Sequence, residues 1–153
     1  MSVQDKLNEL NITLAAPATP AAAYVMYVQT GNLVFLSGHI AKNADGSVNT
    51  GIVGKDKTTA EAQAAARAVA IDLIGTLQEA CGGNLDRVKR IVKVLSLVAS
   101  TPDYNEQHLV TNGCSELLGE VFGDAGKHAR SAFGVASLPR GACVEIEMIV
   151  ELA

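Results

Sequence analysis

The feature that most constrains the fold is the strict alternation at the end of the chain. From Cys143 to Leu152, Val144, Ile146, Met148, Val150 and Leu152 fall on one side, and Glu145, Glu147, Ile149 and Glu151 on the other. Such a segment is a β-strand with one apolar face and one largely acidic face. Upstream, His128, Arg130, Ala132 and Gly134 share a face of a second strand, and Ser137-Leu138-Pro139-Arg140-Gly141 has the residues of a reversing turn. The simplest expectation is an antiparallel hairpin that sets Arg130 within strand reach of Glu145 and Glu147. A guanidinium beside a carboxylate is either a structural ion pair or a grip for an anionic substrate next to a proton acceptor.

The remaining elements follow from periodicity and caps. Ser2 to Leu10 carries Val3, Leu7 and Leu10 at helical spacing, and Ala15 to Ala23, with two prolines, is an extended connector. Tyr24 to Ile40 alternates as two strands around a turn at Thr30-Gly31-Asn32, and the polar, glycine-rich Lys42 to Lys57 is a loop. Thr58 and Glu61 form a capping box ahead of a helix whose stripe is Ala62, Ala65, Val69, Leu73, Leu77 and Ala80, stopped by Gly82-Gly83. Val88 to Ala99 is apolar on both faces, the mark of an interior strand. Thr101-Pro102 reads as cap and first-turn proline of a second helix that buries Val110, Cys114, Leu117, Leu118 and Val121 and ends near Gly123.

The order is therefore hairpin, helix, strand, helix, hairpin. It predicts a single α+β domain over residues 1–153, with 1–23 as N-terminal helix and connector and two helices on one face of a mostly antiparallel sheet. The opposite face mixes acidic, basic and apolar side chains, and burial against another copy of the chain resolves that mixture.

Composition excludes several classes of function. A formal charge of -4 and no cluster of Lys and Arg give no footprint for nucleic acid or for an anionic membrane surface. No segment reaches the roughly 18 uninterrupted apolar residues of a membrane span, and the first residues lack a signal-peptide core, so a cytoplasmic location is expected. Cys81, Cys114 and Cys143 are odd in number and widely spaced, which predicts buried thiols. His39, His108 and His128 lack ligand spacing, so no metal site is expected and the histidines read as surface residues. Gly51-Ile52-Val53-Gly54-Lys55 only grazes a phosphate loop, since Asn49 and Asp56 stand where the motif needs Gly and Ser or Thr.

Among residues that could carry chemistry, Arg130 is foremost, with substrate clamp and strand-to-strand ion pair equally open. Glu145 is its companion: alternate residues on a strand face lie about 7 Å apart, so repulsion among the glutamates raises a pKa toward a useful base. Glu147 and Glu151 read as a solvated acidic face. Ser37 and Gly38, at a strand end, offer a hydroxyl and bare backbone that suit either a pocket or a turn. No nucleophile-base pair emerges from spacing.

Taken together, His128-Ala129-Arg130-Ser131, Leu138-Pro139 and Val144-Glu145-Ile146-Glu147, with Gly31-Asn32 and Ser37-Gly38 upstream, resemble the signature of the RidA/YjgF family of enamine and imine deaminases. The resemblance runs from about Tyr24 to the C-terminus. It implies a chorismate-mutase-like fold and a homotrimer whose sheets form a central barrel, with sites in the clefts between subunits. It implies that Arg130 binds a substrate carboxylate and Glu145 positions water, while Tyr24, Ser37, Gly38, Asn112 and the backbone of Ala132 line the pocket. The implied activity is cofactor-free hydrolysis of 2-imino or 2-enamino acids to 2-oxo acids and ammonia.

The chain departs from the family pattern in three places. Ala132 replaces the cysteine of Arg-Ser-Cys, Ala22-Ala23-Tyr24 replaces Gly-Pro-Tyr, and the N-terminal helix and the Gly123 to Lys127 loop are extra or longer. The competing expectation is a non-catalytic, chaperone-like or carboxylate-binding trimer, which would need Arg130 but not a water-positioning glutamate.

Overall fold

The alternating C-terminal segment is the middle of the sheet. The computed structural model, which describes residues 1–153, contains α1 (Val3–Glu9), β1 (Tyr27–Thr30), β2 (Leu33–Ile40), α2 (Thr59–Ala80), β3 (Val88–Ala99), α3 (Gln107–Phe122), β4 (Ala129–Val135) and β5 (Val144–Leu152). The strands form one sheet in the order β1-β2-β5-β3-β4. All pairs are antiparallel except β3 with β4, which run parallel. The family fold expected from the sequence, a mostly antiparallel α+β sheet with helices on one face, is what forms.

One expectation is corrected. β4 and β5 are not a hairpin: β3 lies between them, and the turn around Pro139–Gly141 carries the chain across it. Parallel pairing requires a crossover, and α3 supplies it between β3 and β4. β4 is thus an edge strand beside a helix rather than a partner of the acidic strand.

The inward residues of β5, namely Val144, Ile146, Met148, Val150 and Leu152, are all buried against the helices. Their partners across β3 include Ile91, Val94 and Val98, all fully buried. α2 contributes Ala62, Ala65, Val69, Leu73 and Leu77, and α3 contributes Val110, Cys114, Leu117 and Leu118. Burying each large aliphatic side chain is worth roughly 1.5–3 kcal/mol, so this layer accounts for most of the drive to fold. Thr58 and Glu61 cap α2 reciprocally, as its sequence requires.

α3 begins at Gln107, five residues later than Thr101-Pro102 suggests. The Thr101 N–H donates to Val53 O at 3.1 Å, which commits that backbone to the sheet edge. Tyr104 then anchors the turn through a 2.6 Å hydrogen bond between its hydroxyl and Thr59 Oγ1.

The N-terminal arm is part of the core. Leu7 is fully buried, and the Val3 N–H donates to Asp86 Oδ1 at 2.9 Å. The connector then crosses α2 at Gly75, where a Cβ would collide with the Ala15 carbonyl oxygen. The other face of the sheet is uncovered. Phe133 and Phe35 remain 48% and 40% exposed there, and Val28 55%, on a face that also carries Glu147 and Lys93.

Candidate functional site

Two charged groups dominate, and they lie on opposite faces of the sheet. Glu145 pairs with Leu97, which pairs with Phe133, on the uncovered face. Arg130 pairs with Val94, which pairs with Met148, on the helix face. Within one chain Arg130 therefore does not meet Glu145 or Glu147, contrary to the hairpin expectation, and it forms no ion pair with either. Of the acidic row, only Glu151 is neutralised, by Lys89 at 3.0 Å.

The Glu145 half is built by a bulge. Leu36 pairs with Met148 and His39 with Ile146, so Ser37 and Gly38 together stand opposite Glu147. The Glu145 carboxylate rests on bare Gly38, where a Cβ would come within 2.9 Å of its Cδ. Ser37 is tied back: its Oγ donates to Val25 O at 2.6 Å and its N–H to Met26 O at 2.8 Å. Burial raises the Glu145 pKa above the ordinary glutamate value, and Glu147 adds to the rise. No cation within the chain opposes it.

His39 is not a surface residue, because the bulge shifts the alternation by one and turns its ring inward, to 7% exposure. Its Nδ1 lies 2.6 Å from Ser37 O, a pure acceptor, so Nδ1 carries the hydrogen. Nε2 then accepts from the Thr76 hydroxyl at 2.7 Å. Burial lowers its pKa and keeps the ring neutral. Past Leu36 β1 no longer pairs with β2, and a cavity of about 950 Å³ opens there. Glu145, Glu147, Ser37, Gly38 and Tyr24 line it on one side, and the connector from Ala15 to Ala21 walls the other. Arg140, in the left-handed region at φ 59°, also faces this cavity, a cation the sequence reading passed over.

The Arg130 half belongs to α3 and β4. One terminal nitrogen of Arg130 donates to Asn112 Oδ1 at 2.8 Å and to Ser115 Oγ at 3.2 Å, and the other to the His108 carbonyl at 3.0 Å. All three acceptors are neutral. Ala132 follows on the same face, paired with Ser96. Of the residues singled out in the sequence, Tyr24, Ser37, Gly38 and Glu145 are thus brought together, and so are Asn112, Arg130 and Ala132, as two separate groups. Sequence reasoning missed Thr76, Ser115, Arg140 and the arm, none of which sits in a recognisable spacing.

Comparison with known proteins now decides the family. The profile described as endoribonuclease L-PSP matches residues 13–152, nearly the whole chain beyond α1. The chain belongs to the endoribonuclease L-PSP (RidA/YjgF) family. Protein TCP17 of Trypanosoma cruzi is 48% identical over 151 residues, covering 98% of this chain and 94% of that protein. The crystal structure of a protein of unknown function from Agrobacterium tumefaciens is 41% identical, with TM-score 0.90 over 99% of this chain and 94% of that one. The RidA structure from the Antarctic bacterium Psychrobacter is 27% identical, with TM-score 0.61 over 90% of this chain and 94% of that one. The match to the Agrobacterium protein, over 99% of this chain, takes in the N-terminal arm.

Other chemistries fit this L-PSP chain less well. All three cysteines are buried, and the Cys114 thiol pKa is pushed up to about 12 by burial, so none offers a thiolate. No group of three or more His, Cys, Asp or Glu is placed to hold a metal ion. No helix is long and apolar enough to cross a membrane.

Proposed function

We propose that this L-PSP family member is a hydrolytic deaminase of 2-imino and 2-enamino acids, working at sites made where copies of the chain meet. The observation that carries the reading is a pair of uncompensated charges. Arg130 is a half-buried guanidinium held only by neutral acceptors, and Glu145 is a half-buried carboxylate with no cation. Each costs solvation free energy in the lone chain. Assembly that covers the apolar sheet face and sets Arg130 of one copy opposite Glu145 of the next answers both, and a trimer of the family type does so around a closed ring.

In such a site Arg130 grips the substrate carboxylate through its fork, with Asn112 and the Ala132 backbone alongside. Tyr24, Ser37 and Gly38 border the reacting carbon. Glu145, its basicity enhanced by burial, takes a proton from water as the oxygen adds to the C=N carbon. It returns that proton to nitrogen and then takes the hydroxyl proton of the carbinolamine as the C–N bond breaks, leaving a 2-oxo acid and ammonia. An imine carbon is already electrophilic, so orientation and a stabilised protonated nitrogen suffice, and no cofactor enters. The cavity beside Glu145 gives room for the substrate side chain. RNA cleavage, which the family's name evokes, is disfavoured by a charge of -4 and the absence of a cluster of Lys and Arg in the sequence.

The test uses imino acids of graded size generated in situ by an amino-acid oxidase, with release of 2-oxo acid followed against the uncatalysed rate. The wild-type protein accelerates hydrolysis. Arg130→Ala loses roughly 2–5 kcal/mol of transition-state binding, and Arg130→Lys recovers little, because an ammonium lacks the fork. Binding of 2-oxo acids with no acceleration for any side chain would turn the assignment to a carboxylate-binding protein.

A further inference from the structure

We infer that Ser115 and His128 are positioning residues that lock the Arg130 guanidinium in the orientation needed to receive a planar carboxylate. The inference rests on the deaminase reading for what Arg130 binds, but not for how Arg130 is held. The chain of contacts fixes its own hydrogens. His128 Nδ1 lies 2.6 Å from the Gly126 carbonyl, which can only accept, so Nδ1 bears the hydrogen and Nε2 presents a lone pair. Ser115 Oγ is 2.8 Å from that Nε2, and its one hydrogen goes there. With its hydrogen so committed, the Ser115 oxygen turns a lone pair to Arg130, whose N–H donates to it at 3.2 Å. Backbone carbonyl, imidazole, hydroxyl and guanidinium form one directional sequence ending at the substrate anchor.

Two features support a role beyond packing. Without His128 the Ser115 hydroxyl can rotate while still accepting from Arg130, whereas a hydrogen committed to His128 holds the accepting lone pair in one direction. The device also needs a neutral ring, and burial with the nearby Arg130 charge keeps the His128 pKa below its ordinary value. The same construction recurs at the other half of the site, where His39 binds a carbonyl two residues back and takes a hydroxyl from α2. On the Arg130 side the hydroxyl comes from α3, so the group that must be aimed is tied to a rigid element.

The experiment reads Arg130 directly. In protein labelled with 15N at arginine, the terminal N–H signals of Arg130, assigned by their loss in Arg130→Ala, should be resolved and slow to exchange in the wild type. They should average in Ser115→Ala and in His128→Ala, and reappear in His128→Gln, whose side-chain oxygen can accept the Ser115 hydrogen. In parallel, Ser115→Ala and His128→Ala should each weaken 2-oxo acid binding and raise KM by about tenfold, with kcat nearly unchanged. The double variant should be no worse than either single one, since both break the same sequence of bonds. Unchanged Arg130 signals in both single variants would overturn the inference, whatever the ligand. Averaged signals in a protein whose wild type binds no 2-oxo acid would leave the positioning intact and remove the deaminase reading instead.

Discussion

The two halves of the candidate site are built alike and placed differently. Around Glu145 the chain makes an enclosure: a bulge at Ser37 and Gly38, an inward His39, and a wall contributed by its own N-terminal arm. Around Arg130 it makes an open edge, with the guanidinium held by α3 at the rim of the last strand. One half carries unneutralised negative charge and the other unneutralised positive charge, and β3 separates them. Within one chain the two charges stand apart, and in the proposed assembly they meet only between copies. Chemistry and oligomerisation then become one property.

The sharpest way to separate the halves is to damage each alone. Glu145→Gln keeps the shape but removes the proton acceptor, so kcat should fall on the order of 100-fold while 2-oxo acid affinity is nearly unchanged. The complementary outcome, lost affinity with kcat preserved, would mean that the enclosure binds and the edge reacts.

A subtler probe leaves the carboxylate in place. Gly38→Ala puts a methyl where the Glu145 side chain lies, and the Gly38 backbone is not in the left-handed region, so the fold should survive. Turnover should fall by roughly tenfold, since misplacement of a base by a fraction of an ångström erodes proximity. Wild-type kinetics would show that Glu145 does not need that perch.

How far the sequence discloses these halves differs for physical reasons. The inward face of β5, the Thr58 and Glu61 capping box and the stripe of α2 are legible because they are local and periodic. Strand pairing is not, since alternation gives a strand's faces but not its neighbour, and a reversing turn at Leu138-Pro139 looks the same whether it closes a hairpin or crosses a strand. His39 eludes a period-2 reading because the bulge changes the phase just before it. Ser115 and His128 are thirteen residues apart on a helix and a loop, and only the parallel β3-α3-β4 crossover brings them within hydrogen-bonding distance. Arg130 and Glu145 stand out by their sequence signature, while the fact that they sit back to back is a property of topology alone.

The smallest expected effect concerns the acidic face. In the proposed site Glu145 must be ionised to act on water, so its titration sets the acid limb of the kcat profile, and within one chain its pKa is raised above the ordinary glutamate value. Burial causes most of that rise and Glu147 the remainder, so Glu147→Gln should move the limb to lower pH without abolishing turnover. A limb that stays put would assign it to another group, and Glu147 would then be a plain solvated side chain.

The central claim, that the site is shared between copies, is tested most directly by subunit complementation. Arg130→Ala and Glu145→Gln proteins, each nearly inactive, are refolded together in equal amounts. Random mixing sets an intact Glu145 beside an intact Arg130 from the neighbouring copy in about one site in four, so roughly a quarter of wild-type turnover should return. If the mixture stays as inactive as its components although mass analysis shows mixed oligomers, the two residues do not meet between copies, and the account of a shared site is wrong.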